Sequence, residues 1–271
     1  MLKVKNTMID KVYVDMLYDN IIKRKSFHLF RDNKTKVHYK DSYHITDKEI
    51  SNIYTFFKKI VPLYKDIKVD IKIVDNTYTN CNRGQEYCIL FYSEKKDNYL
   101  QNIGFIGEQL DLYLVANNIG TLWYGIGKID DNYYNGLEFV TMMAICKVPS
   151  DSFRKDMFKS KRKEVVDIWE GDNYLDIANI VRFAPSSCNT QPWKVRENNN
   201  ELEIYRYKNP SKRGIMPIKK IVYQNLIDIG IFILFISIVL TKNGYSYSLD
   251  LFDDNENNES ELTKIAMIRL E

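Results

Sequence analysis

The stretch from Ala184 to Trp193 (APSSCNTQPW) carries the most distinctive chemistry in this chain of 271 residues. Pro185 cannot continue a helix, so the chain must turn there. Behind it come uncharged side chains with short hydroxyl or amide groups, which are Ser186, Ser187, Asn189, Thr190 and Gln191. Such groups can border a neutral, planar, hydrogen-bonding ligand without imposing a charge on it. The alternative is an ordinary polar loop between a helix and a strand.

Two basic segments have the composition of a phosphate site. Arg24–Phe30 (RKSFHLF) places two cations and a hydroxyl directly after a predicted helix, and charge-assisted donors of this kind suit a phosphate. The run from Lys159 to Lys163 (KSKRK) is the second. A solvated basic surface is the alternative for both segments, because charge runs usually form one.

A third motif, Trp123–Gly127 (WYGIG), follows a predicted strand. Its two glycines, Gly125 and Gly127, would let the backbone approach a ligand closely. An ordinary turn is the alternative. The sequence has no G-x-G-x-x-G, so a Rossmann dinucleotide site is not supported.

Composition narrows the range of partners. The net charge is +3, from 39 basic and 36 acidic residues, and so close a balance does not indicate a nucleic-acid partner. None of the four cysteines belongs to a C-x-x-C pair, and with only three histidines the spacing of a metal site is absent. We therefore predict no metal, and free thiols in a reducing, cytoplasmic setting. A redox role for Cys188, inside the first motif, is the alternative.

No membrane partner is predicted. Charged residues between Lys3 and Asp15 interrupt every apolar run there, which argues against a signal peptide. Leu226–Leu240 (LIDIGIFILFISIVL) is strongly apolar, but it has 15 residues and contains Asp228. A spanning helix needs about 20 apolar residues. We predict instead a helix that is buried on all sides within the protein.

Hydrophobic periodicity and the positions of Gly, Pro and capping residues predict the elements that position these motifs. Helices are predicted at 15–23, 47–60, 98–118, 172–183 and 221–242. Strands are predicted at 69–74, 88–92, 121–124, 139–148, 247–252 and 266–270, with a hairpin from 193–196 to 202–207. This mixture predicts an α+β fold, with mixed sheets around long central helices.

The chain also shows one pattern of landmarks twice, in the same order. The four pairs are Lys59–Pro62 and Arg182–Pro185, Arg83-Gly84 and Arg213-Gly214, Ile103-Gly104 and Ile229-Gly230, and Gly120 and Gly244. Their offsets are 123, 130, 126 and 124 residues. Gly and Pro punctuate most proteins, so a chance match is the alternative to an internal duplication.

Taken together, these motifs resemble the nitroreductase-like flavoprotein family, over about residues 15 to 252. Ala184–Trp193 matches the family signature A-P-S-[SA]-x-N-x-Q-P-W at every fixed position. Arg24–Phe30 resembles the basic segment R-[RK]-S-x-[RK]-x-[FY], with His28 where the family usually has Arg or Lys. Weaker family features match at Trp123–Gly127 and Arg162–Glu164.

The order of the motifs resembles the fused, single-chain branch of the family, in which two tandem halves imitate a dimer. Residues 1–165 would form the first half, which keeps the basic segment, and residues 166–271 the second, which keeps the A-P-S loop. The first half's counterpart of that loop, Val61–Asp66 (VPLYKD), has lost the signature. The resemblance implies one complete flavin site between the halves, an empty mirror site and a chain that works as a monomer.

The resemblance also implies roles for individual residues. The phosphate and ribityl chain of FMN would be held by Arg24, Lys25 and Ser26, with further phosphate charge from Arg162 and Lys163. The flavin would be admitted by Gly125 and Gly127, and its ring system would be bordered by Pro185, Ser186, Ser187, Asn189 and Gln191. His28 would weaken the phosphate site, because a histidine is largely neutral at pH 7.

The activity implied by the resemblance is that of an FMN-dependent oxidoreductase with a ping-pong cycle. NAD(P)H would reduce the flavin, and the reduced flavin would reduce a nitroaromatic, a quinone or a similar small acceptor. No catalytic side chain is assigned, because the cofactor carries the chemistry. A non-catalytic descendant that binds flavin weakly or not at all is the alternative, and a plain interaction module is a third.

Overall fold

The computed structural model describes residues 2–5, 9–156, 160–208 and 216–271. The helices are α1 (Lys11–Lys23), α2 (Asp47–Phe57), α3 (Tyr99–Ala116), α4 (Val165–Ile168), α5 (Leu175–Val181) and α6 (Ile218–Lys242). The strands are β1 (Leu2–Lys5), β2 (Val69–Asp75), β3 (Tyr87–Ser93), β4 (Ile119–Trp123), β5 (Tyr133–Tyr134), β6 (Leu137–Lys147), β7 (Trp169–Glu170), β8 (Trp193–Asn198), β9 (Glu201–Tyr207), β10 (Tyr247–Leu251) and β11 (Leu262–Leu270). Lys159 and the landmark Arg213-Gly214 lie outside the described residues.

The two long helices, α3 and α6, pack against each other at the centre of the molecule. Both are apolar around most of their circumference, and a helix of that kind must be buried on all sides. α6 is long and apolar enough to cross a membrane by length and composition, yet 94% of its most apolar window is buried inside the protein. The predictions of a buried helix here and of an α+β fold are confirmed.

Glycines allow the two central helices to touch through their backbones. A Cβ atom on Gly104 would lie 1.9 Å from the carbonyl oxygen of Ile227, and one on Gly230 would lie 1.9 Å from the carbonyl oxygen of Gln101. No real Cβ atom approaches so closely, so any side chain would push the helices apart. The two contacts are reciprocal, because each glycine of one helix meets the matching carbonyl of the other.

Two sheets flank these helices. The first has the order β2-β3-β6-β4, with β5 pairing to β6. The second has the order β1-β10-β11-β9-β8-β7. Within the second sheet, β8-β9-β11-β10 repeats the sequence order and the antiparallel pairing of β2-β3-β6-β4.

This correspondence between the sheets is what tandem halves would produce, and the division at residue 165 stays a prediction. The second sheet is not built from residues 166–271 alone, because β1 pairs with β10 along its outer side. At the opposite edge, β7 pairs in parallel with β8, which makes the second sheet mixed.

Local signals explain most element boundaries. Asp10 begins α1, since its side chain accepts the Val12 N–H at 3.0 Å. Thr46 and Glu49 form a capping box at the start of α2, as the sequence predicts. The predicted helix at 172–183 is shorter, and α4, β1, β5 and β7 are additions that the sequence patterns did not predict.

Candidate functional site

A cleft lies between α6, the end of β4 and two connecting segments. Its walls are Arg24, Ser26, His28, Leu122, Trp123, Pro185, Ser186, Ser187, Cys188, Gln224, Ile227, Asp228 and Ile231. About 500 Å³ of space lies between these walls, including the part that opens to solvent. The cleft therefore joins the basic segment that follows α1 to the first part of the A-P-S loop, although these segments are far apart in the sequence.

The basic segment reaches the cleft because it runs beside β4 as extended chain. Ser26 forms a parallel bridge with Thr121, and the Phe27 N–H donates to the Thr121 carbonyl at 2.9 Å. Side chains alternate along extended chain, so Arg24, Ser26 and His28 face the cleft. The structure does not bring Lys25 there. Its ammonium group lies 4.5 Å above the ring of Phe27, on the other side of the segment.

Arg24 lines the cleft, but its charge is already paired within the protein. Its guanidinium lies 3.1 Å from Glu108 and 2.9 Å from Asp111, both on α3, and all three side chains are buried. Thr121 donates to Asp111 at 2.6 Å and Trp123 donates to Glu108 at 3.1 Å. Arg24 is thus already paired with acidic side chains of the protein, and its contact with an FMN phosphate stays a prediction.

Two buried carboxyl groups, Glu108 and Asp228, are only weakly compensated by neighbouring cations. Burial raises the pKa of Glu108 to about 8, even though Arg24 opposes that shift. Burial also raises the pKa of Asp228 well above its ordinary value, while hydrogen bonds from Ser187 oppose the shift. Both carboxyl groups are thus biased towards their neutral, protonated forms near pH 7.

Two other arginines lie near the cleft, and one of them, Arg162, has a donor without a partner among the residues described. Arg162 donates to the Asn189 side chain at 2.9 Å, but its buried Nε has no hydrogen-bond partner among the residues described. Arg154 donates to the Arg24 carbonyl at 2.9 Å. Burial, together with the charges of Arg24 and Arg154, lowers the pKa of Arg162 to about 10. An anion bound near these guanidinium groups would reduce their mutual repulsion. The sequence motifs did not single out Arg154.

The second part of the A-P-S loop does not line the cleft. The Asn189 side chain donates to the Lys161 carbonyl at 3.0 Å, and Gln191 Oε1 accepts the Lys163 N–H at 2.9 Å. The Lys163 ammonium in turn donates to the Gln191 carbonyl at 3.1 Å. Asn189, Gln191 and Lys163 thus fasten the basic run to the loop, instead of bordering a ligand as the sequence predicted.

The loop adopts an unusual backbone to make these contacts. Cys188, Asn189 and Gln191 have φ values of 52°, 55° and 48°, in the left-handed region that few non-glycine residues occupy. Such conformations persist only where the surrounding contacts hold them. The first part of the loop, Pro185–Ser187, remains turned towards the cleft.

The loop is tied to α6 beneath the cleft. The Ser187 N–H donates to Asp228 at 2.9 Å, and the Ser186 hydroxyl accepts the Gln191 N–H at 2.9 Å. The cleft-facing residues of α6 are Gln224, Ile227, Asp228 and Ile231, whose spacing defines one face of the helix.

Gly125 and Gly127 serve the protein's own packing. A Cβ atom on Gly125 would lie 2.7 Å from the Gln224 side chain, and one on Gly127 would lie 2.5 Å from the Met142 side chain. Neither glycine lines the cleft. Their predicted role in admitting a ligand is corrected accordingly. The Gln224 amide, which donates to the Gly125 carbonyl at 3.3 Å, occupies the cleft wall instead.

Some residues that the motifs missed had a signal in the sequence. Asp228 stands alone in the apolar run of α6, and Glu108 and Asp111 interrupt the apolar pattern of α3. A charged residue inside an otherwise buried helix needs a partner or a proton, so each marks a special site. Trp123 belongs to the WYGIG motif, whereas no sequence pattern indicated that Gln224 lines the same cleft.

Comparisons with known proteins agree with this fold. The model of the family described as "Putative TM nitroreductase" matches residues 17–239. The chain belongs to this nitroreductase family. The crystal structure of a putative nitroreductase from Thermotoga maritima MSB8 is similar, with a TM-score of 0.58 and 18% sequence identity over 94% of this chain and 93% of that one. At that identity the likeness supports the fold alone. A comparison with curated proteins finds no match.

Proposed function

We propose that this chain is an FMN-dependent oxidoreductase of the nitroreductase type. It would use NAD(P)H to reduce nitroaromatic, quinone or similar small acceptors. The observation that carries the proposal is the meeting of Arg24, Ser26 and His28 with Pro185, Ser186 and Ser187 around one cleft. Membership of the nitroreductase family supports the same class of reaction.

The residues present fit FMN. The unpaired Nε of Arg162 and the neighbouring Arg154 lie near Arg24 and would supply charge for a phosphate, with Ser26 and His28 on the cleft wall as further donors. Pro185 and the two serines offer a neutral, polar border for the ring system. Bound FMN would supply the hydride-transfer chemistry. The chain's part is to bind the phosphate, orient the ring and leave one side open.

The remaining features of the proposal follow from the sequence. Cys81, Cys88, Cys146 and Cys188 are free thiols, which suits a reducing, cytoplasmic compartment. If the two halves imitate a dimer, the complete site lies within one chain, and the protein would work as a monomer.

A second candidate is a descendant of the family that binds flavin weakly or not at all and has no catalytic activity. The pairing of Arg24 with Glu108 and Asp111 favours it, because this cation is not free for a phosphate. The histidine at position 28 favours it as well, since it lacks a permanent charge at pH 7.

Flavin titration tests the proposal. The purified protein is expected to be yellow, or to become so with added FMN, and to bind about one FMN per chain. Under anaerobic conditions NADH or NADPH should bleach the flavin, and a quinone or nitroaromatic should restore its absorbance. A colourless protein that ignores added FMN overturns the first candidate and leaves the second. A protein that binds FMN but is never bleached leaves only the second candidate.

A further inference from the structure

Asp228 is a buried carboxyl group without a cation. Only 3% of its surface is exposed, yet it lines the cleft. Its partners are the Ser187 N–H, which donates at 2.9 Å, and the Ser187 hydroxyl at 3.5 Å. Among the residues described, no Lys or Arg forms an ion pair with it. Ionising a buried carboxyl group without a neighbouring cation costs roughly several kcal/mol, so such a group tends to keep its proton.

The charged and titratable groups around Asp228 do not change that conclusion. Arg24 and His28 face the cleft from the segment after α1, but Arg24 is paired with two carboxylates of α3. Glu108 on α3 interacts unfavourably with Asp228, and so does Cys188 on the A-P-S loop. The surroundings therefore favour a neutral Asp228.

The chain contains its own comparison for this site. Asn102 on α3 accepts the Tyr64 N–H at 3.0 Å, just as Asp228 on α6 accepts the Ser187 N–H at 2.9 Å. Each acceptor lies two residues before the glycine at which the helices cross. A neutral amide thus anchors the corresponding loop in the first part of the chain. The anchoring contact alone does not require a carboxyl group at position 228.

We propose that Asp228 is held as a neutral carboxylic acid and donates its proton, in a hydrogen bond, to an acceptor atom of the flavin ring bound in the cleft. This inference rests on the proposed function for the identity of the ligand. One carboxyl oxygen accepts the Ser187 N–H, and the other carries the proton towards the cleft. Ionisation removes that donor and places a negative charge against ring atoms that are themselves acceptors. Flavin binding should weaken as a result.

The pH dependence of flavin binding tests this role. Dissociation constants for FMN, measured by absorbance or fluorescence from about pH 7 to about pH 9, avoid the titration of free histidine and of the phosphate. In the wild-type protein the affinity is expected to fall as the pH rises and Asp228 loses its proton, by at most about tenfold per pH unit. Asp228→Asn keeps the acceptor for Ser187 but cannot ionise, so its affinity should fall less with pH than that of the wild type, and any remaining fall reports on Glu108. Because the amide of Asn102 accepts the corresponding loop N–H on α3, we expect an amide at position 228 to be compatible with folding.

Two controls separate Asp228 from other groups. Glu108→Gln removes the neighbouring carboxyl and should retain the fall in affinity, while riboflavin, which has the same ring without a phosphate, should show the same fall as FMN. An affinity that falls equally in the wild type and Asp228→Asn overturns the proposal, and if neither falls, the infrared comparison below decides it. A profile that Glu108→Gln flattens and Asp228→Asn does not also overturns the proposal.

A readout without flavin keeps the test decisive. In the infrared spectrum at neutral pH, protonated-carboxyl absorption should be weaker in Asp228→Asn than in the wild type by the contribution of one group, while Glu108→Gln should lose only the separate contribution of Glu108. If no protein binds FMN or riboflavin at any pH, the proposed function fails, and this spectrum then decides the protonation of Asp228 alone. Equal protonated-carboxyl absorption in the wild type and Asp228→Asn overturns the proposal.

Discussion

At the scale of single residues, the arginines near the cleft differ: Arg24 is paired with acidic side chains, whereas the Nε of Arg162 has no partner among the residues described. Arg24 is bound to Glu108 and Asp111, and its removal would leave two carboxylates in the core. Arg162 and Arg154 donate to neutral oxygens and repel each other. The pairing of Arg24 holds the basic segment on α3, whereas Arg162 and Arg154 are available to an anion. Mutation of Arg24 is therefore expected to reduce mainly stability, and mutation of Arg162 to reduce mainly FMN binding.

Arg162→Ala should weaken FMN binding by about tenfold or more, because a charge-assisted hydrogen bond contributes about 1.5–3 kcal/mol. Riboflavin affinity should hardly change, since riboflavin has no phosphate. Titration of the protein with FMN and with riboflavin measures the two affinities. Arg196→Ala, which removes an arginine from an exposed pair with Glu170, is the matched control. An equal loss for riboflavin and FMN would show that Arg162 acts only by holding Asn189.

Arg24→Ala should mainly reduce stability. Removing one partner of a buried ion pair leaves uncompensated charge and costs about 3–5 kcal/mol. Urea unfolding of the protein without flavin measures the loss. The exposed pair of Arg196 with Glu170 should contribute about 0–1 kcal/mol in the same experiment. If Arg24→Ala unfolds at the same urea concentration as Arg196→Ala, the buried cluster does not stabilise the fold.

Glu108 should make stability fall as the pH rises. Its pKa is raised by burial to about 8 in the folded protein, compared with about 4.3 in an unfolded chain. Between these values the folded protein keeps a proton that the unfolded chain has released. The free energy of unfolding therefore decreases with pH, by at most about 1.4 kcal/mol per pH unit from this group.

Urea midpoints at several pH values between about 5 and about 8 measure that slope. Glu108→Gln should flatten it, because glutamine does not titrate. Glu259→Gln, at an exposed side chain, should leave it unchanged. A wild-type stability that rises steadily over this range would contradict a protonated Glu108.

At the scale of elements, local patterns predicted what local forces determine. The apolar periodicity of α3 and α6 and the capping box of α2 are sequence-local, so their positions were predictable. β1 and β7 were not, because each owes its conformation to pairing with a distant strand. The same limit applies to the site. The motifs located the A-P-S loop, but only the fold shows that Asn189 and Gln191 turn towards Lys161 and Lys163.

The crossing of α3 and α6 should tolerate no side chain at its contact point. Gly230→Ala places a methyl group 1.9 Å from the Gln101 carbonyl oxygen, so the helices must separate. We expect a loss of about 1–3 kcal/mol in the free energy of unfolding, despite the higher helix propensity of alanine. Gly136→Ala is the control, because nothing lies within 4 Å and only its φ of +76° opposes a side chain. An unchanged urea midpoint for Gly230→Ala would mean that the helices are not in backbone contact.

At the scale of the whole molecule, the two parts of the chain match in architecture and differ in chemistry. The strand orders correspond, and the helices exchange equivalent glycine contacts. The loop positions differ. Ser186 and Ser187 are partly exposed at the cleft, whereas their counterparts Leu63 and Tyr64 are buried. Apolar side chains thus close the region that would correspond to the cleft.

This asymmetry predicts a monomer with a single flavin. Titration should end at about one FMN per chain, because Leu63 and Tyr64 fill the position that two serines leave open. Light scattering after size-exclusion chromatography should give the mass of one chain, 32.1 kDa, since both walls of the cleft come from the same polypeptide. Two FMN molecules per chain would show that the mirror site is functional. A dimer holding one FMN between two chains would mean that the cleft is completed by a second copy and not by the fold of a single chain.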